Sequence, residues 1–370
     1  MKPLDELAAL LRPAGGGLYL VSTGKAEQLE LQKRLYGARD EARVQERFLR
    51  ALERIPQARG VILGVPSDVG AGFMRGANLG PQAMRVGLLD AVPDFPKRAE
   101  DAGLVDIGDV FVVPQILHDE MLSASQIDAS RRALYPNLAE SDRATLPVSP
   151  LSICQRALEL VFQLNKKVKP FILGGDHSVA WPTVAALATV HGQNFGIVQP
   201  DAHTDLLSER LGVKYCFGTW SYHANELLGR GGKLVQVGIR ATRRDKAHWE
   251  SLGLKQVWAR EVRENPARAL DEIIHHLRGL KLAGVYFSND IDGTDAAWAD
   301  ATGTPEPDGL EPEFLVELIR RLGQEVGLVG GDLVELAPAL GPKSDSRERT
   351  VGLAVRYVRE TINAALGTAF

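Results

Sequence analysis

The chain has 370 residues, of which 45% are hydrophobic and 24% are charged, and its formal net charge is −4. These values are ordinary for a globular protein, and the lack of a basic excess argues against a nucleic-acid partner. The two cysteines, Cys154 and Cys216, are far apart, which excludes a disulfide framework and a thiolate metal site. The N-terminus carries acids and lacks a long apolar run, so we expect a cytoplasmic protein with no signal peptide and no membrane partner.

The predicted elements begin with residues 1–58, which are charged and helical in pattern and predict an extension that covers the core or contacts another subunit. From residue 60, short apolar runs alternate with amphipathic stretches, which predicts βαβ units and an α/β fold with a mainly parallel sheet. Residues 111–150 are polar and predict an insertion or a long surface loop. The predicted strands are 61–65, 171–175, 195–199, 234–239, 284–290 and 326–332, and the predicted helices after residue 150 are 151–164, 178–190, 266–280, 311–322 and 346–366.

Charged side chains follow four of these strands, at the end where parallel α/β sheets bind ligands. In chain order they are Asp176 and His177; Asp201, His203 and Asp205; Asp290, Asp292 and Asp295; and Asp332 and Glu335. Extended backbone places residues i, i+2 and i+4 on one face, so we expect Asp201, His203 and Asp205 to converge, and Asp290 and Asp292 to do the same.

So many carboxylates in one place need a counter-charge, because like charges at close range raise one another's pKa and the cost grows with burial. Oxygen-rich ligands with a minority of imidazole suit Mn²⁺, with Fe²⁺, Co²⁺, Ni²⁺ or Zn²⁺ as alternatives. Six ligands predict two metal ions about 3.5–4 Å apart, which would activate a water for attack on an electrophile. Taken singly, GGDHS could instead be a helix cap or an anion site, and SNDID could be a turn.

Seven motifs together resemble those of the ureohydrolase family, which includes arginase and agmatinase, and they lean toward the agmatinase-like branch. The resemblance spans about residues 60–365 and is carried by GVPSDVGAGFMRGANLGPQAMR (64–85), DIGDV (106–110), GGDHS (174–178), DAHTDL (201–206), SNDIDGTD (288–295), TGTPEPDGL (302–310) and GDLVELAP (331–338). It implies an arginase-like three-layer α/β/α catalytic domain over residues 59–370, with an insertion near 111–150. It also implies a homotrimer or homohexamer.

The resemblance further implies two divalent metal ions, for which we expect Mn²⁺ first and Ni²⁺ next. Their ligands are divided into one set of His177, Asp201, Asp205 and Asp290 and a second set of Asp201, His203, Asp290 and Asp292. Asp201 and Asp290 would bridge the two ions. Glu335 matches the family glutamate that pairs with the substrate guanidinium, a role that suits a carboxylate with two acceptor oxygens. The alternative for Glu335 is a buried partner of a structural arginine.

Phe217 stands where family members that cleave guanidino groups usually have a proton-shuttling histidine. Because phenylalanine cannot carry a proton, the leaving amine must take it from Asp205, from metal-bound water or from His223. A second departure is Trp298, which with Phe217 would narrow the mouth of the site and favour a small guanidino substrate, including free guanidine. Hydrolysis would give urea and an amine, or urea and ammonia from guanidine itself.

The missing histidine leaves two alternatives open. The first is hydrolysis of a formimino group, as in formiminoglutamate-cleaving relatives, for which Arg75, Arg240 and Arg243 are candidate carboxylate ligands. The second is a non-catalytic relative that keeps its metals for structure. Retention of all six ligands and of Glu335 argues against the second.

Overall fold

The structure is a computed structural model that describes residues 1–72 and 74–370. Phe73, which lies within the 64–85 motif, is outside the described residues. The strands are β1 (Leu11–Arg12), β2 (Gly60–Val65), β3 (Leu104–Val110), β4 (Lys169–Gly174), β5 (Gly196–Pro200), β6 (Leu234–Val237), β7 (Lys255–Val257), β8 (Val285–Asp290) and β9 (Leu328–Val334). Within the described ranges these nine strands form one sheet in the order β1-β3-β2-β4-β9-β8-β5-β6-β7.

The pairing of the strands confirms the predicted mainly parallel sheet. Every neighbouring pair is parallel except β1 and β3, which run antiparallel. All six predicted strands are present, with bounds that differ from the prediction by at most two residues.

The helices cover both faces of the sheet. They are α1 (Pro3–Leu10), α2 (Lys25–Tyr36), α3 (Glu41–Glu53), α4 (Gly80–Ala91), α5 (Phe95–Asp101), α6 (Ala124–Leu134), α7 (Glu140–Arg143), α8 (Pro150–Leu164), α9 (Ala180–His191), α10 (Trp220–Leu227), α11 (Lys246–Glu250), α12 (Ala259–Glu264), α13 (Pro266–Leu280), α14 (Pro312–Glu325) and α15 (Ser346–Leu366). Short 3-10 turns lie at Ile55–Gln57, Ala77–Leu79, Asp119–Met121, His177–Val179 and Ile291–Gly293.

Alternating side chains of the strands feed two separate hydrophobic cores. In β2, Val61 and Leu63 pack into one core with helices α1, α3, α8 and α9, whereas Ile62 packs into the other with α4, α13, α14 and α15. Strands buried on both faces explain why the sequence shows continuous apolar runs instead of alternation. The result is the predicted three-layer α/β/α architecture. No helix in the described ranges is both long and apolar enough to cross a bilayer.

The N-terminal residues add to the edge of the sheet. Helix α1 packs against α8, where Glu6 pairs with Arg156 (Oε1–Nε 2.6 Å). The chain then enters β1, in which Leu11 pairs with Val110 of β3. The segment 111–150 contains α6 and α7. A hydrogen bond within the segment, from the Tyr135 hydroxyl to the carbonyl of Pro147 (2.5 Å), links α6 to the residues that precede α8.

A buried ion-pair cluster joins α4 to β3. The Arg85 guanidinium donates to Asp106 (Nε–Oδ2 2.8 Å) and to Asp109, and Arg85 is almost completely buried. Burial lowers the pKa of Arg85, but the two carboxylates outweigh it and raise the pKa above its ordinary value. The guanidinium therefore stays charged, and it fixes the helix to the strand.

Candidate metal centre

Four adjacent strands in the middle of the sheet, β4, β9, β8 and β5, end at the same edge. β4 is followed by Asp176 and the 3-10 turn that starts at His177, and β9 is followed by Glu335. β8 ends in Asp290, and β5 is followed by Asp201. Because parallel strands share their direction, these side chains meet at the carboxyl edge of the sheet, as predicted from the sequence.

The first cluster surrounds Nδ1 of His177. This atom lies 3.2 Å from Oδ2 of Asp201, 3.3 Å from Oδ2 of Asp205 and 3.1 Å from Oδ2 of Asp290. One imidazole nitrogen carries at most one proton, so it cannot satisfy three carboxylates at once. Ligands placed about 2.1 Å from a small octahedral cation are themselves about 3 Å apart. The donor atoms therefore fit a divalent metal ion.

The second cluster surrounds His203. Its Nδ1 lies 3.1 Å from Oδ2 of Asp292 and 3.7 Å from Oδ1 of Asp201. Asp201 thus presents Oδ2 to the first cluster and Oδ1 to the second. His203 is 29% exposed, whereas the side chains of Asp201 and Asp292 are buried. This arrangement puts an imidazole at the solvent side of the site.

Burial and neighbouring charges shift the pKa values of the groups in both clusters. Burial raises the pKa of Asp205 to about 6 and raises the pKa of Asp290 well above its ordinary value. Burial lowers the pKa of His177, but hydrogen bonds with the three neighbouring carboxylates outweigh it and raise that pKa well above its ordinary value. These buried carboxylates repel one another, and a bound divalent cation would supply the counter-charge that they lack.

A chain of hydrogen bonds orients His177 from behind. Its Nε2 lies 3.0 Å from Oγ of Ser288, and this hydroxyl lies 2.9 Å from Oδ2 of Asp332. The Tyr286 hydroxyl donates to the same Asp332 oxygen (2.9 Å). Metal-binding histidines usually carry such a partner on the second ring nitrogen, because it fixes the tautomer and the ring orientation. The arrangement leaves Nδ1 of His177 free to act as the ligand atom.

Trp220 contacts two of the predicted ligands, and sequence reasoning did not single it out. Its indole Nε1 donates to Oδ2 of Asp205 (3.0 Å), and its ring centroid lies 4.5 Å from that of His177. The side chain is fully buried. The available signal was its place directly after Gly218 and Thr219, the two residues that align with the family's His-Gly-Thr element.

Two site residues other than glycine have a left-handed backbone. Asp205 has φ 52° and Glu335 has φ 60°. Such conformations cost about 1–3 kcal/mol and persist where the surroundings enforce them, commonly at functional sites. In Asp205 the turn brings the side chain back toward His177. The left-handed backbone of Glu335 occurs together with a hydrogen bond in which the His177 backbone N–H donates to Oε1 of Glu335 (2.8 Å).

Glu335 is buried beside the first cluster. Burial, with Asp176 adding to it, raises the pKa of Glu335 well above its ordinary value. Within the described residues, Oε2 has no hydrogen-bond donor, so one oxygen of the carboxylate is available to a ligand.

The remaining predicted residues lie in separate surroundings. His223 is on α10, with Nε2 3.0 Å from the carbonyl oxygen of Lys214 and its ring edge-on to three aromatic rings. Trp298 is 43% exposed and donates from Nε1 to Glu311 (3.0 Å). Phe217 donates its backbone N–H to the Gly70 carbonyl (3.1 Å). The contacts of Trp298 thus lie on a different loop from those of Phe217.

Comparison with known proteins agrees with this fold. A model of the arginase family matches residues 58–363. The chain is 31% identical over 286 residues to a guanidinobutyrase from Pseudomonas aeruginosa, covering 75% of this chain and 78% of that protein. It is 27% identical over 332 residues to an agmatinase from Halalkalibacterium halodurans, covering 87% and 98%. The solved structure of proclavaminate amidino hydrolase from Streptomyces clavuligerus superposes with a TM-score of 0.65 at 27% identity, covering 84% and 94%.

A parallel α/β sheet whose central strands end in buried carboxylates and imidazoles defines a candidate metallohydrolase. The chain belongs to the arginase family and is a ureohydrolase.

Proposed function

We propose that the protein is a binuclear-metal ureohydrolase that cleaves a C–N bond of a small guanidino compound. The products are urea and an amine, or urea and ammonia when the substrate is guanidine itself. The observation that carries the proposal is the position of Asp201, whose two carboxylate oxygens face two different groups of ligands, one around His177 and one around His203. A single ion would not need a carboxylate directed both ways.

Each ion has a set of protein ligands in this proposal. His177, Asp201, Asp205 and Asp290 would hold the first, and Asp201, His203, Asp290 and Asp292 would hold the second, with Asp201 and Asp290 shared. Divalent ions in such a pair supply positive charge that lowers the pKa of water toward neutrality. The donor set favours Mn²⁺ first and Ni²⁺ next.

The side chains around the ions bind and orient the substrate. Glu335 accepts the guanidinium with the oxygen that His177 does not use, and its buried position excludes water from this pair. Phe217 cannot transfer a proton, and the Nε2 of His223 is held against Lys214. Asp205 and water remain as sources of the proton for the leaving nitrogen. In this proposal Asp205 takes a proton from the attacking water and passes it to the leaving nitrogen, and the Trp220 N–H holds the carboxylate in place for that step.

The named activities of the relatives support a guanidino substrate. Guanidinobutyrase and agmatinase are the names of proteins that share 31% and 27% of their aligned residues with this chain. We further propose that the enzyme is a cytoplasmic homotrimer or homohexamer.

The test is metal analysis of the purified protein combined with assays of urea and ammonia. Enzyme loaded with Mn²⁺ or Ni²⁺ is offered arginine, agmatine, 4-guanidinobutyrate, guanidine and formiminoglutamate. We expect two metal equivalents per chain and urea from at least one guanidino compound. Formamide and glutamate from formiminoglutamate, without urea from any guanidino compound, would replace the proposal with formimino hydrolysis.

Asp201→Asn tests the ligand assignment. Asparagine keeps the shape of the side chain but removes the charge that both groups of ligands share, so we expect metal content and activity to fall together. Asp128→Asn is the matched control, because Asp128 is an exposed residue of α6 that pairs only with Arg132 in the described structure. Full metal content and activity in Asp201→Asn would contradict the proposal.

A further inference from the structure

Residues 206–219, which form the second part of the loop between β5 and α10, are hydrogen-bonded to the surroundings of the metal centre. The Leu207 N–H donates to the carbonyl of Gly218 (3.1 Å), which closes the base of the loop. The Phe217 N–H donates to the carbonyl of Gly70 (3.1 Å), and the Gly70 N–H donates to Oδ2 of Asp176 (3.0 Å). Asp176 directly precedes the ligand His177. These bonds fix one side of the loop beside the first cluster.

Arg210 projects from this loop and lies over Phe217. Its Cζ is 4.8 Å from the centroid of the phenyl ring. Backbone hydrogen bonds of 2.9 Å in both directions between Arg210 and Val213 hold the turn that carries it. Arg210 is exposed, and no carboxylate of the described residues pairs with it. A guanidinium held over an aromatic ring keeps its in-plane N–H donors available for a carboxylate.

Other arginines near the site are less suited to bind a ligand. Arg240, one candidate from the sequence, donates to backbone carbonyls that include those of Asp292 (2.7 Å) and Glu306 (2.9 Å), so its donors are already used. Arg75 donates to the carbonyl of Val69 at 3.4 Å. Arg243 is exposed, but no aromatic ring of the described residues holds it in place.

We propose that Arg210 binds the distal carboxylate of the substrate, and that the substrate is a short-chain guanidino carboxylic acid. This inference rests on the proposed function. The guanidinium end is neutralised by Glu335, which leaves a distal carboxylate in need of a cation at the rim. A distal ammonium group would instead meet the like charge of Arg210, so the residue selects acids over amines.

The experiment compares three guanidines of similar length: 4-guanidinobutyrate with a carboxylate, agmatine with an amine, and propylguanidine with neither. The variants are Arg210→Met, which keeps an unbranched side chain without charge, and Arg210→Lys. Arg39→Met is the control, because it removes one exposed positive charge between α2 and α3. Metal content and melting temperature are measured for each protein, so that folding and loading are known.

We expect wild-type enzyme to have its lowest KM for 4-guanidinobutyrate. Arg210→Met should raise that KM roughly tenfold, because a charge-assisted hydrogen bond is lost, with kcat changed by at most about twofold because the lost contact is made equally in the ground state and the transition state. The KM values for propylguanidine should not change, the KM for agmatine should fall or stay constant, and Arg210→Lys should lie between Arg210→Met and wild type.

Two results overturn the inference and are distinguishable. If the enzyme hydrolyses agmatine or propylguanidine best, or if Arg210→Met raises all three KM values equally, the role of Arg210 is wrong and the ureohydrolase proposal stands. If metal-loaded wild-type enzyme releases no urea from any guanidino compound, the proposed function fails and the inference fails with it.

Discussion

Trp220→Phe removes one N–H donor from the metal centre and keeps an aromatic ring beside His177. The lost contact is the 3.0 Å hydrogen bond from Nε1 to Oδ2 of Asp205, between fully buried groups. Without it the Asp205 carboxylate loses a restraint on its orientation, although its left-handed backbone is unchanged. We expect weaker metal binding with the fold intact.

The size of the effect follows from the chemistry of the bond. A hydrogen bond to a charged group contributes about 1.5–3 kcal/mol, which corresponds to roughly a 10- to 150-fold change in an equilibrium constant. Loss of an outer hydrogen bond to a metal ligand typically costs about 10–100-fold in affinity. We therefore expect the dissociation constant of the more weakly held ion to rise at least about tenfold.

The assay is a competition between the protein and a chelator of known affinity, followed by metal analysis, with kcat/KM measured at saturating metal. Trp249→Phe is the matched control. It makes the same change in α11, where the indole donates to the neutral Thr242 hydroxyl (3.0 Å). If both variants bind metal with the affinity of wild type, Trp220 does not position the ligand and the reasoning is refuted.

Three further predictions concern the shell and the scaffold. Ser288→Ala removes the hydroxyl that links His177 to Asp332 and should weaken metal binding about tenfold in the same competition assay, whereas wild-type affinity would contradict the relay. Arg85→Met leaves the buried Asp109 and the partly buried Asp106 without their cation and should lower the free energy of unfolding by about 3–5 kcal/mol, measured by urea denaturation; a loss below about 1 kcal/mol would contradict this. In metal-free protein, the pKa of Asp205 is raised from 3.8 to about 6, so the folded state holds an extra proton, and its stabilising effect is lost as the pH rises from 4 through 6. Between pH 5 and pH 7 that one group accounts for about 1 kcal/mol, and chelated protein should therefore melt at a lower temperature at pH 7 than at pH 5, with added Mn²⁺ abolishing the difference.

The central strands could be predicted from the sequence because they are buried on both faces. The edge strands β1 and β7, and the strand β3 next to β1, could not. In β3 the run LVDIGDV is interrupted by Asp106 and Asp109, whose charges are explained only by the buried Arg85 of α4. β1 and β7 have two and three residues, too few to show a pattern. Pairing with a neighbour that is distant in the sequence stabilises these segments, and local composition does not record it.

The metal motifs could be predicted because each directly follows a strand. Their division into clusters depends on backbone turns beyond the strand, such as the left-handed Asp205. The roles of site residues on loops and helices were harder to predict. Nothing in the local pattern indicates that Trp220 faces the ligands while His223, three residues later on the same helix, contacts Lys214. The position of the Arg210 guanidinium depends in the same way on the conformation of its loop.

The antiparallel strand β1 has a consequence for any shortened form of this protein. The match to the arginase family begins at residue 58, so a shortened protein would naturally be designed to start at that residue. Removal of the preceding residues would strip the partner from β3 and leave its backbone N–H and carbonyl groups open to solvent. Open strand edges recruit other chains, so the truncated protein should aggregate even with every metal ligand in place.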